Sequence, residues 1–227
     1  MSERRPQRLR ITFEKGEPIK YVAHLDLLRA WERILRRARA PLAYSQGFNP
    51  HPKITIAMPS PVGCTGAQEE LDIILDEPLA APELQARLEQ TLPPGIAIVS
   101  IAAVPLRAPA RPSMIRRADY WVTLRGISRP ALRQRVDKLV HQTHVEIEFR
   151  RKRFDLRPLI EALTIRSIND IMILEMRLLR NAQGRLGRPD AVLAALDLGE
   201  FAQHIHRTQI IFETDRLAGQ GDKNEKT

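Results

Sequence analysis

The sequence predicts an α+β protein built of two tandem ferredoxin-like (βαββαβ) units with antiparallel sheets. Three observations carry that expectation. Short segments alternate apolar and polar residues with the period of a half-buried strand, stretches with the spacing of an amphipathic helix separate them, and the same order of segments occurs twice. Because split crossovers must be right-handed, that order places both helices of a unit on one face of its sheet.

The first unit is expected over residues 1–105. Residues 8–13 alternate Arg, Leu, Arg, Ile, Thr, Phe as a strand; Gly16 and Pro18 break it, and residues 19–22 read as resumed extended chain. A helix is expected over 26–39, where Leu27, Leu28, Trp31, Ile34, Leu35 and Ala38 form one apolar stripe. After an irregular loop, residues 53–58 and 70–76 alternate as strands around a turn at 59–66. Pro82 opens a helix over 82–92 with Leu84, Leu88 and Leu92 four apart, and Pro93-Pro94-Gly95 stops it before a strand over 96–104.

Residues 106–117, carrying Pro109 and Pro112, read as a linker. The second unit is expected over 118–213: a strand at 118–125, a helix at 129–142, a strand at 145–150 and an insertion at 154–165 with a short helix near Leu159. A third strand at 170–179, a helix at 188–198 and a strand at 205–213 complete it. Residues 214–227 have almost no apolar side chains and read as a disordered tail.

Composition narrows the function. With 43% hydrophobic and 28% charged residues the chain can bury a core, and no run of about 18 apolar residues exists to cross a membrane. The start is polar, without a signal-peptide segment, so a cytoplasmic protein is expected. Cys64 is the single cysteine, and His141, His144, His204 and His206 lack trustworthy ligand spacing, so neither a metal nor a cofactor is expected. The net charge of +9 is uneven: residues 106–213 hold 20 Lys and Arg against 12 Asp and Glu, whereas residues 1–105 hold 13 against 12. A basic half of this kind attracts polyanions, of which nucleic acid is the usual one.

The densest collection of chemistry lies at residues 24–53. The helix carries Arg29, Arg33 and Arg36 away from its apolar stripe, and the loop after it reads Tyr44-Ser45-Gln46-Gly47-Phe48-Asn49-Pro50-His51-Pro52-Lys53. Rings there suit stacking on bases, amides suit base edges and cations suit phosphate; alternatively Tyr44 and Phe48 pin the loop to the core, and Glu32 pairs with Arg36 to make the arginine stripe a solvated face. His24 and His51, with Lys53 against a phosphate, would serve metal-independent RNA cleavage. The plainer alternative is that His24 and Asp26 cap the helix. Arg150-Arg151-Lys152-Arg153 is the densest basic run, placed at a strand end or turn where it would meet a phosphate backbone.

The motifs Tyr21-Val22-Ala23-His24-Leu25-Asp26-Leu27-Leu28 and Ser45 through Lys53, with Met58-Pro59-Ser60-Pro61-Val62-Gly63, Glu70-Leu71-Asp72, Phe154 through Pro158 and Arg188-Pro189, resemble the bacterial radical-SAM-linked domain family of unknown function. The resemblance implies a companion to a radical SAM protein. The chain lacks the three closely spaced cysteines of a radical SAM cluster, so it is not that enzyme itself. The expected function is therefore a non-catalytic accessory module that engages RNA or a ribonucleoprotein substrate for a radical SAM partner. An RNA-processing endonuclease using His24 and His51, and a protein–protein adaptor that never meets RNA, are the alternatives.

Overall fold

The computed structural model describes residues 5–168 and 171–213. The chain divides into two compact units, Met1–Met114 and Ile115–Thr227, and each has the ferredoxin-like topology.

In the first unit the elements are β1 (Gln7–Lys15), α1 (His24–Arg37), β2 (Ile54–Ile56), β3 (Cys64–Leu75), α2 (Ala81–Glu89) and β4 (Ile96–Val104). Antiparallel pairing gives the order β4-β1-β3-β2. Alternation on β1 and β3 sends Leu9, Ile11, Phe13, Leu71, Ile73 and Leu75 to one face, where they meet the stripe of α1 (Leu27, Trp31, Ile34, Leu35) and Leu84 and Leu88 of α2. Phe13 and Trp31 meet edge to face with ring centroids 4.8 Å apart. Each of these buried side chains contributes roughly 1.5–3 kcal/mol through removal from water. The opposite face receives Arg8 and Arg10 of β1; the register sets Arg10 directly across from Asp72.

Two local expectations for this unit are corrected. Residues 17–19 form a 3-10 turn, Glu17–Ile19, because Pro18 at its start has the φ that such a turn needs. The helix begins at His24 and ends at Arg37, about two residues earlier than the apolar spacing suggests.

The proline-spaced segment after β4 is no free linker. Arg8 donates to the carbonyls of Ala108 (2.6 Å) and Pro109 (3.2 Å), and Arg111, the first residue of the short helix α3 (Arg111–Met114), donates to Glu70 at 2.8 Å. Residues 115–117 already belong to β5 (Ile115–Leu124). Proline supplies the breaks, but charged side chains of β1 and β3 fasten the segment to the first unit.

The second unit continues with α4 (Arg129–Val140), β6 (Glu146–Phe149), β7 (Lys152–Asp155), β8 (Ile160–Ile168), β9 (Ile171–Leu179), α5 (Pro189–Ala195) and β10 (Ala202–Phe212). Its sheet runs β10-β5-β9-β8, all antiparallel. Ser128 caps α4, accepting from the Ala131 amide, and Leu132, Val136 and Leu139 are its buried stripe.

Here the expected strand order needs correction. Residues 145–150 do not supply the second strand of the sheet; Glu146–Phe149 form β6, which among the described residues pairs with β7 as a separate two-stranded ribbon, and Arg150 belongs to its turn. The second strand is β8, which begins inside the segment expected to be an insertion, 154–165, and runs on to Ile168. A register shift between Ile160 and Ala162 interrupts the period-two pattern at the start of β8, so its apolar residues do not alternate cleanly. The short helix near Leu159 is present as a 3-10 turn, Arg157–Leu159. The expected tail at 214–227, and Asp170 of the expected third strand, lie outside the described residues.

Candidate functional site

The loop after α1 is closed by its backbone. Lys53 N–H donates to the Ala43 carbonyl (2.8 Å) and Ala43 N–H to the Ile74 carbonyl (2.8 Å), so both ends of the loop are bound to the sheet edge. Tyr44 and Pro52 form a β-bridge. Ser45 N–H donates to the His51 carbonyl (2.9 Å), and His51 N–H returns to Ser45 Oγ (3.0 Å). Gly47 sits at φ +126°, a conformation closed to ordinary side chains. The turn thus holds its shape without burying a ring.

Phe48 is fully exposed (106%) and Tyr44 is 39% exposed; Gln46, Asn49, His51 and Lys53 are exposed as well. The alternative in which Phe48 pins the loop to the core does not hold. The physical reason is the backbone ladder, which ties the loop's two arms together at Ala43, Ser45, His51 and Lys53 and leaves the ring at its tip to face solvent.

Below the loop lies a cleft of about 380 Å³, lined by Ser45, His51, Lys53, Thr55, Arg8 and Asp72, with Ala108 and Ala110 closing one side. Its floor is a buried charge network. Arg8 (8% exposed) pairs with Asp72 (5% exposed) at 2.5 Å; Arg10 reaches both oxygens of Asp72 at 2.8 and 3.1 Å and lies 3.5 Å from Glu70. Arg111 completes the set on Glu70. Burial pushes the Glu70 carboxyl above its ordinary value, against the opposing pull of Arg111 and Arg10. Three guanidinium groups face two carboxylates, and Lys53 adds a further cation at the cleft, so an anionic or polar guest is favoured there.

The remaining candidates spread out. His24 heads α1, half-buried, with Nδ1 enclosed and without a hydrogen-bond partner. Neither His24 nor Asp26 caps the helix: the N-cap is Ala23 without side-chain help, and Asp26 bonds Arg29 at 3.3 Å on the surface. His24 does not line the cleft that holds His51 and Lys53. Arg33 and Arg36 are exposed; among the described residues the alternative Glu32–Arg36 pair does not form and Arg36 has no ion pair.

Arg150 and Arg151 form the two-residue turn of the β6–β7 ribbon, both in left-handed backbone (φ 52° and 63°). Arg150 reaches Asp190 (3.2 Å), Arg153 reaches Glu148 (3.2 Å), and Arg151 and Lys152 stand exposed. At the root of the ribbon Asp155 accepts from the amides of Val145 (2.8 Å) and Arg157 (3.0 Å) and meets His144. Burial raises the pKa of this carboxyl, but those two amides and His144 outweigh burial and hold it below its ordinary value.

The Arg8/Arg10/Asp72/Glu70/Arg111 network is not apparent in the linear sequence. Its signal was the matched patterns Arg-Leu-Arg and Glu-Leu-Asp on two strands, legible only once their register is known. Among the described residues no group of three or more His, Cys, Asp or Glu side chains is placed to hold a metal ion, and no helix is long and apolar enough to cross a membrane.

Comparison with known proteins adds a family. No curated protein matches the chain. Similar solved structures include an unknown protein from Galdieria sulphuraria, at 13% identity and TM-score 0.27 over 85% of this chain and 91% of that one. A putative glycine cleavage system transcriptional repressor matches at 13% and 0.25, over 91% and 98%. The small subunit of acetolactate synthase from Thermotoga maritima matches at 14% and 0.23, over 91% and 95%. Residues 8–189, which include both the loop and the charge network, match one family throughout, and the chain belongs to it: the uncharacterized protein conserved in bacteria known as DUF2344.

Proposed function

We propose that this protein is a non-catalytic binding module that holds single-stranded RNA, or the unpaired part of a ribonucleoprotein, for a radical SAM enzyme. The observation that carries the proposal is the 44–53 loop, fixed by its own backbone while presenting Phe48 at full exposure beside Tyr44, His51 and Lys53. A preformed ring that buries nothing suits stacking on a base, and adjacent cations suit the phosphates that follow it. Arg33 and Arg36 extend the positive surface along α1. The radical SAM partner rests on the family resemblance of the motifs.

The test is binding of a labelled single-stranded RNA oligomer across a salt series. Affinity should fall as salt rises, Phe48→Ala should weaken it about 5- to 150-fold, and Arg33→Ala with Arg36→Ala should flatten the salt slope by roughly 0.7 per lost phosphate contact. RNA affinity that ignores salt and Phe48 alike would overturn the proposal. Cleaved RNA, abolished by His51→Ala, would replace it with the endonuclease.

A second observation favours a protein contact close by. Tyr21 (70% exposed) and Leu25 (63%) lead into α1, and Val62 (57%) lies on a turn whose Gly63 amide donates to the Lys20 carbonyl (2.9 Å). The Tyr21 ring lies against Gly63, next to Val62; a contiguous exposed apolar patch marks an interaction surface, and this one suits docking of the enzyme. Pull-down of a radical SAM protein that survives nuclease and is lost in Tyr21→Ser with Leu25→Ser is the expected result; pull-down unaffected by these changes would remove the patch from consideration.

A further inference from the structure

The face of the second unit's sheet away from α4 and α5 carries an exposed indole. Trp121, on the central strand β5, is 49% exposed, whereas its neighbours Tyr120 and Val122 point into the core. The register puts His206 of β10 on one side of it and Glu175 of β9 on the other. The His206 ring lies 6.4 Å from the indole and the His204 ring 6.0 Å from His206, so three flat rings share one side of two adjacent strands. A large aromatic on the polar side of a central strand, where Asp119 and Thr123 are its neighbours at two residues' distance, is not needed by the core.

Beside the indole is a cavity of about 290 Å³. Its polar floor consists of two cross-strand ion pairs, Arg166 with Glu175 (2.8 Å) and Arg177 with Asp119 (3.3 Å). The pairs cancel in charge, so this surface has little attraction for phosphate. What it offers is donors and acceptors side by side within reach of a stacking ring, with the Thr164 hydroxyl at the edge. That is the complement of a nucleobase, whose face is flat and whose edge alternates donors and acceptors.

We propose that this sheet face is a second nucleic-acid site, taking one unpaired base of single-stranded RNA stacked on Trp121 with its edge over the two ion pairs. The occupant is a strand and not a free nucleotide, because the neutral floor leaves a nucleotide's phosphates without a partner there, while the unit as a whole is basic and can hold the backbone elsewhere. The inference rests on the RNA-binding function proposed above and concerns a separate surface.

The test uses the full chain. Single-stranded oligomers of adenosine only and of uridine only, the same sequences annealed to each other, and adenosine monophosphate are titrated while indole emission and anisotropy of labelled RNA are recorded. The single strands should quench emission, the duplex should not, and the mononucleotide should bind at least tenfold more weakly. Trp121→Phe should abolish the quenching with a small loss of affinity, since a phenyl ring still stacks, and Trp121→Ala should lose about 5- to 150-fold. Unchanged affinity in Trp121→Ala, with affinity still dependent on Phe48, would overturn this site and leave the loop intact. Equal binding of the mononucleotide would overturn the choice of occupant. No RNA binding by the unaltered protein at low salt would overturn both this site and the proposed function.

Discussion

Asp72 is the residue on which the floor of the cleft depends, and replacing it with Asn tests that dependence. Asp72 is 5% exposed and neutralises Arg8, itself 8% exposed, while also accepting two bonds from Arg10. Removing one partner of a buried ion pair leaves an uncompensated charge and costs about 3–5 kcal/mol. Asn keeps the shape and one acceptor oxygen, Arg8 keeps the carbonyls of Ala108 and Pro109, and Arg10 keeps Glu70 at 3.5 Å. The lower end, about 3 kcal/mol, is therefore expected. For a unit of this size that corresponds to a fall of roughly 12 °C in its melting temperature.

The assay is urea unfolding of a Trp121→Phe background, in which the fully buried Trp31 reports the first unit. A double change, Arg8→Met with Asp72→Leu, removes both buried charges and should recover at least half of the loss. A cost below about 1 kcal/mol for Asp72→Asn, or a double variant no better than the single, would refute the claim that this pair is buried and mutually dependent.

Three further outcomes are expected. Because burial raises the Glu70 pKa, the native state holds that proton more tightly than the unfolded chain; its contribution is full below the ordinary value of 4.5 and is lost as pH rises through the higher folded value. Glu70→Gln should therefore gain stability relative to the unaltered protein between acid and neutral pH, and denaturation curves across that range whose difference does not change would contradict it. The Asp155 pKa is lowered, so its contribution is present above the ordinary value of 3.8 and disappears as pH falls through the lower folded value; Asp155→Ala should cost about 1–3 kcal/mol at neutral pH and speed hydrogen exchange at the Val145 and Arg157 amides. Replacing Arg150-Arg151 by Asn-Gly should raise stability by about 1–2 kcal/mol, because both positions have the positive φ those residues favour, while weakening salt-dependent RNA binding; gain of stability without loss of binding would remove the turn from the RNA surface.

The sequence by itself determined the fold class, since period-two strands and 3.6-residue helices leave signatures in residue order, and it singled out the stretch at 24–53 as the candidate site, where Gly, Pro, aromatic and amide residues crowd one loop. Capping at His24 and Asp26 was misjudged because a helix start can equally leave its amides to solvent, as at Ala23. The place of β8 was hidden by a register shift that local periodicity cannot encode. Only the tertiary structure decided which side chains meet: the pairing of β1 with β3 sets Arg10 across from Asp72, and the pairing of β5 with β9 and β10 sets Trp121 between Glu175 and His206. Register is a property of two strands together, fixed by burial of one face of each, and no single strand's residues state which neighbour lies opposite.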